Sequence, residues 1–320
     1  MNLPKQHRTW LLCPNYYQMI KNGNLILSQS MTKELGLFVI DDQVEEVAYC
    51  PKRFYAKYVA ENYPDTCSTP MLQGKFAESI LLGSGANGEV VDDLPRKRNG
   101  EKTVGQERIE KQMERLYGFM YAHGVRIKPF NTQVRLIAQY SKHVWLRGEF
   151  DIFPTLVDGR LSIVDVKTTK DVYSDFFSIN DKYVRSSSTH CWGDYAKIAK
   201  NQPLFYHHIA RNFTKIGLDG MIRFHKEHRD KYEALFEMGD AYDDVGFYFM
   251  VAGVGVPNLD DQLVMHEYEY TPSREMLLEA LISAATRRIR ESIRNQFEPI
   301  PTESLCRSCA LKDICSQAKI

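Results

Sequence analysis

Apolar and polar residues alternate with a period of two from Val144 to Phe150, and a second apolar run goes from Leu161 to Val166. The two runs predict adjacent strands joined at Asp158-Gly159, a dipeptide suited to the φ > 0 turns of a hairpin. On the second strand Leu161, Ile163, Asp165 and Lys167 share one face. On the first, Asp151 shares a face with Arg147 and Glu149, while Val144, Leu146 and Phe150 point the other way. A strict two-residue loop would set Ile152 opposite Asp165 and turn Asp151 to the opposite face. Pro154 cannot donate to a ladder and marks a place for a bulge or longer loop that restores the alignment. A carboxylate and an ammonium at the end of an apolar strand are costly unless paired. An ordinary surface salt bridge would pair them, and so would a hard cation such as Mg²⁺ held by two carboxylates and a phosphate.

Elsewhere the pattern predicts helices over Met71–Leu82, Gln106–His123, about Trp192–Arg211 and 272–295, with the last opened by Thr271-Pro272-Ser273. A further helical segment starts at Asp41 or Asp42 as N-cap, with Val44, Val47 and Ala48 on one face; Pro51 interrupts or restarts it. Residues 133–140, 219–227, 245–256 and 263–270 read as strands. Residues 1–40 show no clear period. On the 71–82 helix Gly74 and Glu78 lie four apart on one face, as do Gln202 and Tyr206 on the helix ending near Arg211. Arg287, Arg288, Arg290 and Arg294 either reach phosphates or coat the solvated face of the last helix. The Arg96-Lys97-Arg98 run sits in a Gly- and Asp-rich loop, solvated or set over a nucleic-acid groove.

The chain's 320 residues suit one large domain or one and a half. Lys+Arg and Asp+Glu balance at 41 each, which excludes a general polyanion binder and leaves any nucleic-acid contact to a local patch and bound metals. No signal pattern, membrane-length apolar run or phosphate-cradling Gly-rich loop is visible, so a cytoplasmic protein without membrane contact is expected. Seven cysteines in a reducing compartment favour a metal site over disulfides. Cys306, Cys309 and Cys315 form C-x₂-C-x₅-C, three thiolates that need a fourth. That set suits zinc or a cubane iron–sulfur cluster alike.

Taken together, Gly148-x-x-Asp151, the turn, and the ending D-V-K-T-T-K at 165–170 resemble the core of the PD-(D/E)XK nuclease superfamily. The likeness is to its RecB-like branch, which includes CRISPR-associated and recombination exonucleases. The resemblance implies an α/β, restriction-endonuclease-like mixed sheet flanked by helices. Asp151 and Asp165 would hold Mg²⁺ or Mn²⁺, with the main-chain carbonyl of Val166 as a further ligand and Lys167 orienting or activating the attacking water. Glu78 falls where that branch carries a metal-binding histidine; other branches use glutamate there. Gln202 and Tyr206 match its Q-x-x-x-Y, which contacts the DNA backbone and braces the lysine. The cysteine spacing is similar to that of family members holding a [4Fe-4S] cluster through one upstream cysteine. Cys50, in Y-C-P-x-x-F, resembles that cysteine, with Cys13 and Cys67 as competitors. The resemblance thus implies residues 1–70 as an N-terminal helical segment, 71–270 as nuclease core, and 271–320 as a C-terminal helix and cysteine cluster, with both ends stapled together. The expected activity is metal-dependent hydrolysis of DNA, from ends, in recombination, repair or replication, alongside a possible helicase or recombination partner. A non-catalytic DNA- or protein-binding scaffold is the alternative.

Overall fold

The computed structural model describes residues 16–40, 42–60, 62–64, 69–83, 94, 96–172, 201–224, 229–238, 242–307, 309–313 and 315. The described residues open with α1 (Tyr16–Lys21), β1 (Leu25–Leu27) and α2 (Gln29–Glu34). A hairpin of β2 (Leu37–Ile40) and β3 (Gln43–Glu46) follows, then α3 (Pro51–Phe54), which runs into a π-helical turn at Tyr55–Val59. Next come α4 (Thr69–Leu82), α5 (Val104–Ala122), β4 (Thr132–Ser141), β5 (Val144–Val157) and β6 (Arg160–Thr169). The described chain resumes with α6 (Asn201–Asn212), α7 (Gly217–Phe224) and α8 (Arg229–Glu237). It ends with β7 (Gly246–Gly253), β8 (Leu263–Glu267), α9 (Pro272–Arg294) and α10 (Glu303–Arg307).

A six-stranded mixed sheet is built on β5. Its even positions from Val144 to Phe150 are buried and its odd positions half-buried, the period-two pattern of a strand between a core and a cleft. β4 runs antiparallel along one side of it. The other side is shared: β1 lies parallel to residues 144–146, and β6 pairs antiparallel with 152–157. β6 then runs parallel to β7, which pairs antiparallel with β8. A parallel pair needs a crossover, and α6 to α8 lie in the stretch between β6 and β7. The sheet's two faces are covered by separate cores. Leu146, Phe150 and Ile163 pack with Phe205, Ile209 and Leu281 of α6 and α9; Ile152, Val164 and Met250 pack with Phe76 and Met113 of α4 and α5.

The turn between β5 and β6 is at Asp158 and Gly159, with φ of 47° and 89°. Farther from the turn the register shifts between Ile152 and Thr155, so that Ile152 faces Val164 and Asp151 stands level with Asp165. This is the irregularity that Pro154 implied. Asn131 ties it down: its side chain donates to the Pro154 carbonyl at 2.9 Å, and its own carbonyl accepts from Phe153 N at 2.7 Å. Beyond Val164, β6 leaves β5, and a fork opens beside residues 147–151. α6 fills it. The Tyr206 hydroxyl donates to the Glu149 carbonyl, and its ring stacks on Phe150 at 4.3 Å. Gly148 makes this approach possible, since a Cβ there would stand 2.8 Å from a Tyr206 ring carbon.

Asn201, fully buried, anchors the start of α6. It donates to Thr32 Oγ1 and the Leu37 carbonyl at 2.8 Å each, and accepts from Val39 N at 2.8 Å. From the other side Arg288 of α9 donates to the Leu35 carbonyl, to the Val47 carbonyl at 2.9 Å and to Glu46 at 2.9 Å. Arg288 is therefore a buried strut holding the β2–β3 hairpin, and neither a phosphate contact nor a solvated residue. Two expected elements differ. Residues 43–46, expected in a helix from Asp41 or Asp42, form β3, because Asp42 (φ 55°) turns the chain back on β2 and helix begins only at Pro51. Residues 219–224, expected in a strand, belong to α7: a short apolar run carries no period of its own, and here Met221 is the buried position of a helix. The helix expected from Trp192 is described from Asn201 onward; its first residues, and Ser186–Ser188, lie outside the described residues.

Two predictions follow from this packing. Gly148→Ala should displace Tyr206 and lower stability by about 1–3 kcal/mol. Thermal unfolding measures this, and adding Tyr206→Leu should cost less than the sum of the two changes. His207 and His208, neighbours on α6, are both pulled down to about 4 by burial. Between about 6.5 and 4 the unfolded chain takes up protons that the folded chain refuses, so stability is full above pH 6.5 and falls below it. Unfolding free energies from urea titrations at pH 7.5 and 5 should differ by roughly 1–2 kcal/mol per histidine, and His208→Phe should flatten the difference.

Candidate active site

The fork places the D-x-K pair where two strands part. Asp165 is 1% exposed, and both its oxygens are engaged: Gln202 Nε2 donates to Oδ1 and the Lys167 ammonium pairs with Oδ2. Asp151 Oδ2 accepts from the Val166 amide at 2.8 Å, so the side chain of β5 reaches the backbone of β6 just where the ladder ends. Glu78 comes from α4 and accepts from Gln133 at 2.8 Å. Gly74, one turn earlier, faces β6: a Cβ there would lie 3.6 Å from Thr168 Oγ1, an ordinary packing distance.

These charges feel one another. Burial, and then the charge of Asp165, push the Asp151 carboxyl well above the usual carboxylate range. Burial also raises Glu78, against the pull of Gln133 and Lys167. Burial works to lower Lys167, but Asp165, Asp151 and Glu78 outweigh it and hold its ammonium above its ordinary value. Three carboxylates thus act on one lysine.

The structure therefore brings together Glu78, Asp151, Asp165, Val166, Lys167, Gln202 and Tyr206. It adds groups the pattern did not single out as site residues. Glu149, raised by burial and held by Arg135 at 3.3 Å, lies within reach of the Glu78 charge; its alternation with Asp151 along β5 was the available signal. Lys33 of α2 stands in the field of Lys167 and Asp165, and nothing local in residues 1–40 announced it. The Arg96–Arg98 run is an exposed loop in which Arg96 bonds the Gly100 carbonyl and Lys97 pairs with Glu101 at 3.5 Å.

A second constellation lies at the chain's two ends. Cys50, Cys306, Cys309 and Cys315 are free thiols that line one pocket with Pro299 and Ile300. Burial raises the Cys50 thiol, although the backbone amides of Arg53, Ile300 and Lys52 are directed at its sulfur. The Tyr63 hydroxyl, which accepts from Ala310 N at 3.0 Å, lies 4.0 Å from Cys309 Sγ. Cys13 and Cys67 lie outside the described residues.

As the side chains stand, among the described residues no three His, Cys, Asp or Glu groups are gathered closely enough to hold a metal ion. The donor chemistry of each constellation is nonetheless uniform. The fork presents only hard oxygens, of the kind Mg²⁺ and Mn²⁺ take, and the cysteine pocket only sulfur, suited to zinc or iron–sulfur.

Among solved structures, a protein from Eubacterium rectale described as a candidate exonuclease aligns with a TM-score of 0.55. The alignment has 15% identity and covers 100% of this chain and 96% of that one, a likeness of fold. No curated protein sequence matches. The sequence pattern of one family matches residues 42–316, from the turn between β2 and β3 to just past the final cysteine, and by that match the chain belongs to the PD-(D/E)XK nuclease superfamily.

Proposed function

We propose that this chain is a divalent-cation-dependent deoxyribonuclease that works from DNA ends in recombination, repair or replication. The observation that carries the reading is the fork itself: Asp165 of β6 is paired with Lys167, Asp151 of β5 bonds the Val166 amide between them, and Glu78 of α4 lies within reach of their charges. Glu78, Asp151 and Asp165, with the Val166 carbonyl, would hold Mg²⁺ or Mn²⁺. When bound, the cation would polarise the phosphodiester and make a water a better nucleophile. Lys167 stays an ammonium at neutral pH because its acidic neighbours raise it. Its part is therefore to donate hydrogen bonds to the water or a phosphate oxygen and offset charge in the transition state, not to abstract a proton. Gln202 fixes the rotamer of Asp165, and Tyr206 holds the strand that carries Asp151. Action on ends is supported by the fold likeness to the Eubacterium rectale protein.

The test uses labelled linear and closed-circular single-stranded DNA with Mn²⁺ or Mg²⁺. Wild-type protein should degrade the linear strand and spare the circle. Lys167→Ala and Asp165→Asn should each lose activity by at least about 100-fold. Cutting of circles would make it an endonuclease using the same residues. No cleavage by folded wild type would favour the scaffold.

The four cysteines are proposed to hold a [4Fe-4S] cluster that staples the start of the family-matched region to its end. The reading is supported by four free thiols lining one pocket and by backbone amides turned toward the Cys50 sulfur. A cross-link closing so long a loop should stabilise strongly. Anaerobically purified protein should be brown and contain iron, and Cys50→Ser should lose both colour and thermal stability. Stoichiometric zinc in a colourless protein would keep the staple and discard the cluster.

A further inference from the structure

We propose that Gln133 is a positioning residue of the cation site, its side-chain amide aiming the Glu78 carboxylate at the fork. The inference rests on the nuclease reading and deepens it, naming the group through which the acid on α4 joins those on the sheet.

The placement of Gln133 is geometric. Along β4, Thr132 faces Ile152 and Val134 faces Phe150, so Gln133 stands level with Asp151 of β5. Its backbone has a φ of 47°, in the left-handed region, which a long side chain within a strand enters only when its surroundings hold it there. The residues around it do so. Asn131 accepts from Phe153 N at 2.7 Å and donates to the Pro154 carbonyl at 2.9 Å. Lys231 of α8 donates to the Thr132 carbonyl at 3.0 Å, and Val134 is buried in the core. Gln133 itself is 8% exposed, and its Nε2 donates to Glu78 Oε1 at 2.8 Å. That hydrogen bond ties α4 to the strand beside Asp151.

The neutrality of the donor is what fits a cation site. A lysine or arginine in its place would hold Glu78 as firmly, but would cancel its charge and repel a cation. An amide orients the carboxylate and leaves the charge available. Asp165 likewise receives a neutral donor, Gln202 Nε2. The other half of the Gln133 amide is open: Oε1 is buried and, among the described residues, has no hydrogen-bond partner. A buried acceptor left open is costly to the fold. A water in the shell of a cation beside Glu78 would donate to it.

The test is Gln133→Met, which keeps the length of the side chain and removes the amide, with Gln133→Asn beside it. Asparagine accepts a positive φ readily but is one methylene short of Glu78. Mn²⁺ binding to the DNA-free protein is read from the paramagnetic resonance of the free ion. Both variants should bind Mn²⁺ about 10–100-fold more weakly than wild type, and the Mn²⁺ concentration for half-maximal cleavage should rise by the same factor. Gln133→Asn should melt near the wild-type temperature, so it carries the test if Gln133→Met folds poorly. Glu78→Gln should also weaken Mn²⁺ binding, and adding Gln133→Met to it should weaken binding no further, since the amide acts through that carboxylate. Wild-type Mn²⁺ affinity in either folded variant, or losses that multiply in the double variant, would overturn the inference and leave Gln133 a packing residue. If Lys167→Ala still abolishes cleavage in that case, the nuclease reading stands. If wild type neither binds Mn²⁺ nor cleaves DNA, both fall.

Discussion

An acid cannot be buried at the end of an apolar strand without partners, and the arrangement around Asp165 answers that requirement. Lys167 supplies the opposite charge from two residues further along the same strand, and Gln202 supplies a neutral donor from α6. Each partner then imposes conditions of its own. Gln202 can reach only if α6 lies in the fork; α6 lies there because Gly148 leaves room for Tyr206 and because Asn201 fixes its start to β2 and α2. The site is thus the reason the sheet forks, as much as a tenant of the fork. Its acids are over-supplied relative to its one paired lysine.

The N-terminal segment is woven into this scheme. β1 extends the central sheet at the stretch of β5 that β6 does not cover, and α2 carries an anchoring threonine. Arg288 joins the β2–β3 hairpin to α9 through two carbonyls and a carboxylate, a satisfied buried guanidinium that makes the hairpin rigid. Geometry at Asp165 therefore depends on residues from both ends of the chain.

Much of this was legible because it was local. The Asp158-Gly159 turn, the alternation on β5 and the Asp165-Val166-Lys167 run each declared themselves within a few residues, and Pro154 even signalled the register shift that levels Asp151 with Asp165. Gln202 and Tyr206 were placed on one helix face by their spacing. What was not legible arose between distant segments. Gln-Val-Glu-Glu at 43–46 carries as much helical as extended character, and it was the partner strand β2 that decided. Met221 and its neighbours suited either period, and packing chose helix. Arg288 looked like one more arginine on a basic helix; only the folded chain brings it to its partners.

The pairing of β1 with β5, Leu25 against Val144, has a consequence for how the molecule comes into being. Contacts between residues so far apart along the chain are slow to form, and a parallel pair gains nothing from a tight turn. During synthesis the first strand emerges long before its neighbour and waits with unsatisfied backbone, while the hairpin behind it waits longer still for Arg288. The leading segment therefore locks late, after the central hairpin has given it an edge to join. Its exposed strand is a target for chaperones, or for a second copy of the same strand, in the interval.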